Sequence, residues 1–450
     1  MNGKYLTRAI LASSLGLGAA AAIVFAGPSS AVAAPPADWS AVPTQTVKLF
    51  FAGQSSYQWL RSGEHPGAAL VKTGGACLTC HKDQEEKMGA NIVGGGKFKL
   101  EPNPISGKNG TVDLAVQAAY DADNLYMRFQ WKTNMDRAGQ MHDYMRFDGE
   151  KWSFYGGPRS AERVTSGKQP PLYEDRLAIM IDDGSVPTFK EQGCWLTCHR
   201  GMRDMPDMAT KEQLKPNPVL GDAGLKQSDV RKFLPSSRTD ELASWEKTKS
   251  AEEIAQIKAA GGFLDLMQWR AARSNPVGMA DDGYVLEYRL FDAGKNPFSG
   301  NVDSKTMTPK YMFDASKVGV KSLTVADIGD PSKPVAMIRE ENAVPYDPNA
   351  GWKADDVLPG RLLSRADATG SAADNDQVEG EWKDGVWTVV FTRKLNTGNP
   401  EDDKILEEGK AYTVGFAVHD DNVTTRFHLV GFPRSLGLGT KADIEATKLP

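Results

Sequence analysis

The chain has 450 residues, a hydrophobic fraction of 40% and a formal net charge of -5. That fraction is enough for a real core, and the length allows two or three domains or one large sandwich with insertions. A mildly acidic chain offers phosphates no basic field, which argues against nucleic-acid binding.

The first element is a targeting segment. Lys4 and Arg8 form a positive n-region, "AILASSLGLGAAAAIVFAG" is an apolar h-region, and Ala31-Val32-Ala33 fits a small-residue cleavage site. Residues 1–33 therefore read as a secretory signal peptide, with a retained anchor as the alternative. Losing Lys4 and Arg8 with it would take the net charge from -5 to -7. No later stretch is apolar for the ~18 residues that a membrane span needs. The mature chain is expected to be exported, soluble and periplasmic, with no stable membrane insertion.

Residues 34–108 read as a small helical module, rich in Gly and short on strand signals. "SSYQWLRSGEHPGAALVKTGGACLTCHK" predicts a short helix, a turn at His65-Pro66-Gly67, a second helix and a loop carrying Cys77, Cys80 and His81. "NPISGKNG" closes the module as a turn. From 109 to 450 the pattern changes. "TVDLAVQAAYDADNLYMRFQWK" alternates apolar and polar residues on both sides of "DADN", which predicts a hairpin. "EDRLAIMIDDG", "DDGYVLEYRLFD", "GVWTVVFTRKL" and "KAYTVGFAVHDD" are further strand-like runs bounded by Asp and Gly. Many short strands with such turns predict a mainly β chain built as a β-sandwich. Residues 206–273 read as a helical insertion: "TDELASWEKTKSAEEIAQIKAAG" is rich in Ala, Glu and Lys, and "GFLDLMQWRAARSNP" could continue it. Ser364 to Glu381 reads as a polar loop. The acidic pairs Asp182-Asp183 and Asp281-Asp282 fit strand-end turns.

The four cysteines fall in two close pairs, each with a His directly behind it. In an oxidising compartment the plain reading is two disulfides. Yet a Cys-x-x-Cys bridge closes too small a loop to stabilise much, and chance rarely places one of six histidines behind both pairs. Cys-x-x-Cys-His is the c-type haem signature. Two thiols add to the two vinyl groups on one porphyrin edge, and the adjacent imidazole reaches the iron. Cys77, Cys80 and His81 match it. Cys194, Cys198 and His199, in "GCWLTCHR", exceed it by one residue, and the longer spacer still lets both thiols reach the vinyls. A disulfide and a four-Cys zinc site stay open there, although zinc does not explain the histidines. The expectation is two covalently bound haem c groups, with His81 and His199 as proximal iron ligands.

An electron-transfer haem takes a second axial ligand, usually His or Met. His65, twelve residues before Cys77, can be carried over the far face of the first haem by a helical hairpin. His142, His419 and His428 remain as candidates for the second. Met202, Met205 and Met208 in "RGMRDMPDM" compete, as do Met135, Met141 and Met145. A Met stripe beside an apolar cofactor is more often packing.

Three stretches in order, "VDLAVQAAYDADNLYMRFQW", "YEDRLAIMIDDGSVPTFKEQGC" and "DLMQWRAARSNPVG", resemble the ethylbenzene-dehydrogenase-like haem-binding family. That family includes haem subunits of molybdenum dehydrogenases and exported c-type cytochromes. The resemblance runs from about Thr111 to Leu438, and the preceding Cys-x-x-Cys-His stretch is similar to a c-haem module that often precedes this domain. It implies a β-sandwich holding a haem at one end. The family's b-haem subunits use a Met and a Lys as ligands. "SVPTFKEQGC" is similar to the segment carrying that Met, and here the Cys194–His199 string follows it. "TTRFHLVGFP" is similar to the segment carrying that Lys, and here it presents His428. The resemblance therefore implies His428 as distal ligand of the second haem.

The function expected is a periplasmic dihaem c-type cytochrome passing single electrons between redox partner proteins, a carrier rather than a catalyst. The alternatives are an electron-relay subunit of a molybdenum dehydrogenase or reductase, and a haem peroxidase or reductase with an open axial position.

Overall fold

A computed structural model describes residues 34–103, 105–133, 142–221, 230–330 and 332–450. The expected signal peptide, Met135 and Met141 lie outside the described residues.

The hairpin signalled around "DADN" is present. Strands β2 (Thr111–Tyr120) and β3 (Asn124–Lys132) pair antiparallel, from Ala115 opposite Gln130 to Tyr120 opposite Leu125. Asp121 makes the turn. Its Oδ1 accepts from the backbone N–H of Asp123 at 2.8 Å and of Asn124 at 2.7 Å, so the side chain replaces a backbone acceptor. A strand that the sequence signals poorly precedes them: β1 (Gln45–Phe51), antiparallel to β2 with Val47 opposite Leu114. The segment read as helical before residue 108 thus also supplies a strand to the main sheet. "QTVKLFF" ends in consecutive apolar residues, which blurs its alternation.

Strands β4 (Tyr144–Phe147) and β5 (Trp152–Tyr155) join Leu323–Thr324 and Asp356–Pro359 in a separate four-stranded sheet, packed over Met145, Phe313 and Leu358. The main sheet resumes with β6 (Arg176–Asp182) and β7 (Leu264–Arg270). Its spatial order runs from Val378–Lys383 and Val386–Lys394 through β3, β2, β1, Leu429–Val430 and Ala411–His419 to β6 and β7. The sheet folds over on itself. Trp269 of β7 meets Trp387 at 4.8 Å and Trp131 of β3 at 6.0 Å, although these strands stand near opposite ends of the order. Arg393 reaches Asp265 across the same seam at 2.6 Å. This closure makes the sandwich.

Alternation along β6 decides what each face covers. Leu177, Ile179 and Ile181 enter the central core. Ala178 and Met180 face the other way, into a second core that also holds Phe50, Cys194, Trp195 and the partly buried Cys77. Each large apolar side chain so buried contributes about 1.5–3 kcal/mol. Both Cys-Cys-His strings therefore lie in one layer on the outer face of the sheet.

The stretch 206–273 is less helical than its composition suggests. It contains Lys211–Leu214 and Ala251–Ala259, each opened by a capping box, Thr210 with Gln213 and Ser250 with Glu253. "LDLMQWR", read as a continuation of the helix, is instead β7. All seven of its residues are buried. A strand covered on both faces shows no period of two. Among the described residues no helix is long and apolar enough to cross a membrane.

Candidate functional site

Four short helices build the first string's surroundings: α1 (Tyr57–Leu60), α2 (Ala68–Lys72), α3 (Leu78–His81) and α4 (Glu85–Val93). The expected helix–turn–helix order holds. Ser56 caps α1 by accepting from the Trp59 N–H. Gln192 donates to the Val71 carbonyl at 2.9 Å, and the Cys77 N–H to the Glu191 carbonyl at 3.1 Å, fastening this segment to the core. α3 places Cys77 and His81 four residues apart, one helical turn, so both face the same way. Its first turn is closed by the His81 N–H bonding to the Cys77 carbonyl at 3.0 Å.

His65 stands opposite. The ring centres of His65 and His81 are 6.1 Å apart and their planes lie 22° from parallel. Between and around them is a cavity of about 430 Å³, lined by Leu60, Leu70, Met88, Phe50, Trp195 and Phe432, with Cys77 and Cys80 on its wall. His65 Nδ1 is 2.9 Å from the Leu60 carbonyl. A carbonyl only accepts, so Nδ1 is the donor and Nε2 is the nitrogen left for a metal. Burial, then the neighbouring His65, holds His81 below its ordinary pKa and keeps it neutral. The His81 imidazole is thus in the ligating form.

These residues fit a c-type haem. Two metal–imidazole bonds of about 2 Å each account for most of the 6.1 Å, and the rest is the distance from each ring's centre to its own nitrogen. The thiols add the two attachment points. Cys77 is part-buried and its thiol is pushed up to about 11 by burial, while Cys80 is exposed at the rim.

The second string sits close by and is packed differently. Gly193, with φ of 57°, turns the chain from the helix Pro187–Gln192 into a 3-10 turn, Gly193–Thr197. A Cβ there would stand 2.8 Å from Pro433 Cδ, so the position takes only Gly. Cys194 is buried against the Met180 sulfur at 3.9 Å. All four cysteines are unbridged. His199 is fully buried. Phe233 stacks flat on its ring at 3.7 Å, its Nε2 is 2.8 Å from the Phe233 carbonyl, and its Nδ1 is 3.3 Å from the Gln58 amide. With both nitrogens engaged and one face covered, the His199 environment as folded does not fit a haem.

The remaining candidates scatter. His428 meets the His419 ring at 4.8 Å. His142 is buried beside the Tyr173 ring at 4.7 Å. The Met202 sulfur accepts from the His199 backbone N–H at 3.3 Å, Met205 is buried, and Met208 is exposed. Met145 lies in the core of the smaller sheet. The structure therefore brings together Cys77, Cys80, His81 and His65, and sets His428 beside His419.

Sequence reasoning missed the aromatic wall shared by the two strings. Trp195, inside the longer spacer, stacks with Phe50 at 5.3 Å and packs on Phe432 at 5.3 Å. Phe432 lies nearly parallel to His81 at 6.3 Å. It also missed Gln58, which joins α1 to the second string by accepting from the Arg200 N–H at 2.9 Å. Only the Trp inside the spacer carried a sequence signal.

A family model described as "Ethylbenzene dehydrogenase" matches residues 37–431. "Cytochrome c-552" of Stutzerimonas stutzeri is 27% identical over 445 residues, 98% of this chain and 100% of that protein. "Cytochrome c-551" of Rhodocyclus tenuis is 32% identical over 170 residues, 38% of this chain and 58% of that one.

Proposed function

Because the chain belongs to the ethylbenzene dehydrogenase family, and its full-length relative is a cytochrome c-552, we propose that it is a c-type cytochrome that carries single electrons. The observation that supports this most is His65 facing His81 across an apolar cavity whose wall holds Cys77 and Cys80. A haem bound there supplies a one-electron iron couple. The chain's own residues do the rest. Cys77 and Cys80 would hold the edge of the ring, His81 and His65 would hold its iron, and Leu60, Leu70 and Phe432 would exclude water. With two imidazoles to hold the iron, no position on it would be open to substrate, which favours a carrier over a catalyst.

Cys194, Cys198 and His199 are proposed as a second attachment point, with His428 as distal ligand. Support for this comes from the string and its adjacent His. It requires Phe233 and Gln58 to release His199. The export segment and the acidic net charge favour a periplasmic carrier docking on basic redox partners. The family description favours one other reading, a relay subunit of a dehydrogenase, and co-purification of a stable larger partner would support it.

The test is the intact mass of exported protein made with a c-haem maturation system, with haem-bearing peptides mapped. Two haems, one on each Cys peptide, are expected. One haem on Cys77–Cys80 alone leaves a monohaem carrier and removes His428 as a ligand. A bare Cys77–Cys80 peptide would sink the carrier reading.

A further inference from the structure

A second group of buried side chains lies away from both Cys strings. Asp265 is in β7, Asp282 precedes the short strand Gly283–Val285, and Asp403 lies in the loop before Ala411–His419. They are 0%, 2% and 1% exposed, and one carboxylate oxygen from each lies within 4.8 Å of the others. Ligands on opposite sides of a calcium ion, at 2.3–2.6 Å each, stand about 5 Å apart. Three such oxygens therefore fit around one ion. Asp374 borders Asp282 and Asp403, and Asp292, 5% exposed, adds a further charge.

The protein's own cations do not balance this group. Arg393 pairs with Asp265 at 2.6 Å and lies 4.0 Å from Asp403. Lys404 turns its ammonium to Asp183 at 2.8 Å and to the Gly261 carbonyl.

A neutral side chain provides the independent pointer. Asn375 is 1% exposed and donates its amide to Asp282, while its Oδ1 has no hydrogen-bond donor among the described residues. The same holds for both oxygens of Asp292 and of Asp403, and for Oδ1 of Asp265 and of Asp374. Buried acceptors without donors are rare in folded proteins. Neither His nor Cys belongs to the group, so the donor set suits a hard cation rather than zinc or copper.

We propose that Asp265, Asp282 and Asp403, with the Asn375 amide beside Asp282, bind one calcium ion. It would tie together four segments far apart in sequence, at the seam where β7 meets Val386–Lys394. This does not rest on the haem reading.

The experiment uses the exported haem-loaded protein, stripped with EDTA, desalted and titrated with calcium chloride by calorimetry, with Tm recorded before and after. One calcium per chain is expected, and Tm should rise by about 3 °C at a hundredfold excess over Kd. Magnesium, which demands a tighter octahedron, should do much less. Asp403→Asn should weaken calcium binding at least tenfold, with Asp282→Asn as the substitute if that variant folds poorly. The proposal is overturned if no calcium binds, or if the folded variant binds it as tightly as the unaltered chain.

Discussion

The two Cys-Cys-His strings share a layer of the molecule, and even a wall, yet they are built oppositely. Around Cys77–His81 the neighbours stand back: His65 faces His81 at 6.1 Å and leaves an apolar cavity of about 430 Å³. Around Cys194–His199 the neighbours close in: Phe233 lies on the imidazole at 3.7 Å, and Gln58 and the Phe233 carbonyl take its nitrogens. The same residue types therefore give a preformed site in one place and a filled core in the other. The string supplies attachment chemistry. Space and a facing ligand come from residues that the string does not specify.

The largest effect tests the open side. Cys77→Ser with Cys80→Ser should remove the first haem from the protein entirely, read as a mass lower by one haem, with Cys194 and Cys198 peptides unchanged. If the haem-bearing mass survives, the cavity is not its site. Next comes His65→Ala. The haem should stay attached, because the thioethers do not involve His65, but the iron should lose its sixth ligand and turn high-spin in the ferric absorption spectrum. An unaltered low-spin spectrum would mean that another residue faces His81, and the likeness of 6.1 Å to a ligand pair would be coincidence.

The closed side is tested by Phe233→Ala. In protein loaded at the first string only, removing this buried ring should cost about 3–5 kcal/mol, read by denaturant unfolding. In protein carrying a second haem, where His199 must leave Phe233, the cost should fall by half or more. Equal costs in the two forms would show that Phe233 never moves and that the second string is a structural turn.

What was legible in the sequence follows the range of the interactions. The "DADN" hairpin is local: Asp121 bonds to residues two and three ahead of it, and the pattern shows it. The His65–Cys77 hairpin is nearly as local, since α1, α2 and α3 are consecutive. β7 was misread because both of its faces are covered, which erases the alternation. Phe233 on His199, and Gln58 reaching across 141 residues to the same ring, leave no trace in any window of sequence. The Asp281-Asp282 pair reads as a turn, and Asp281 does pair nearby with Arg270. Asp282 instead joins carboxylates from three other segments, a grouping that only the folded sheet creates.

The smallest effect concerns a histidine outside both strings. His142 is buried too, though less completely than His199, and it serves as the control for burial alone. Burial first, then the Arg273 guanidinium, lowers its pKa to about 4, against weaker opposing pulls from Asp143 and Glu174. Its folded value lies below its unfolded value near 6.5, so the folded state prefers the neutral ring. That preference stabilises fully above pH 6.5 and drains away as pH falls from 6.5 towards 4. The loss should be about 3 kcal/mol by pH 4. His142→Gln, which keeps an amide in the space and cannot titrate, should flatten that part of the unfolding-versus-pH curve without touching the haem spectrum. If the curve keeps its slope, the acid sensitivity belongs to another group. If the spectrum changes, His142 is close to a haem after all, and the division between an open string and a closed one has to be redrawn.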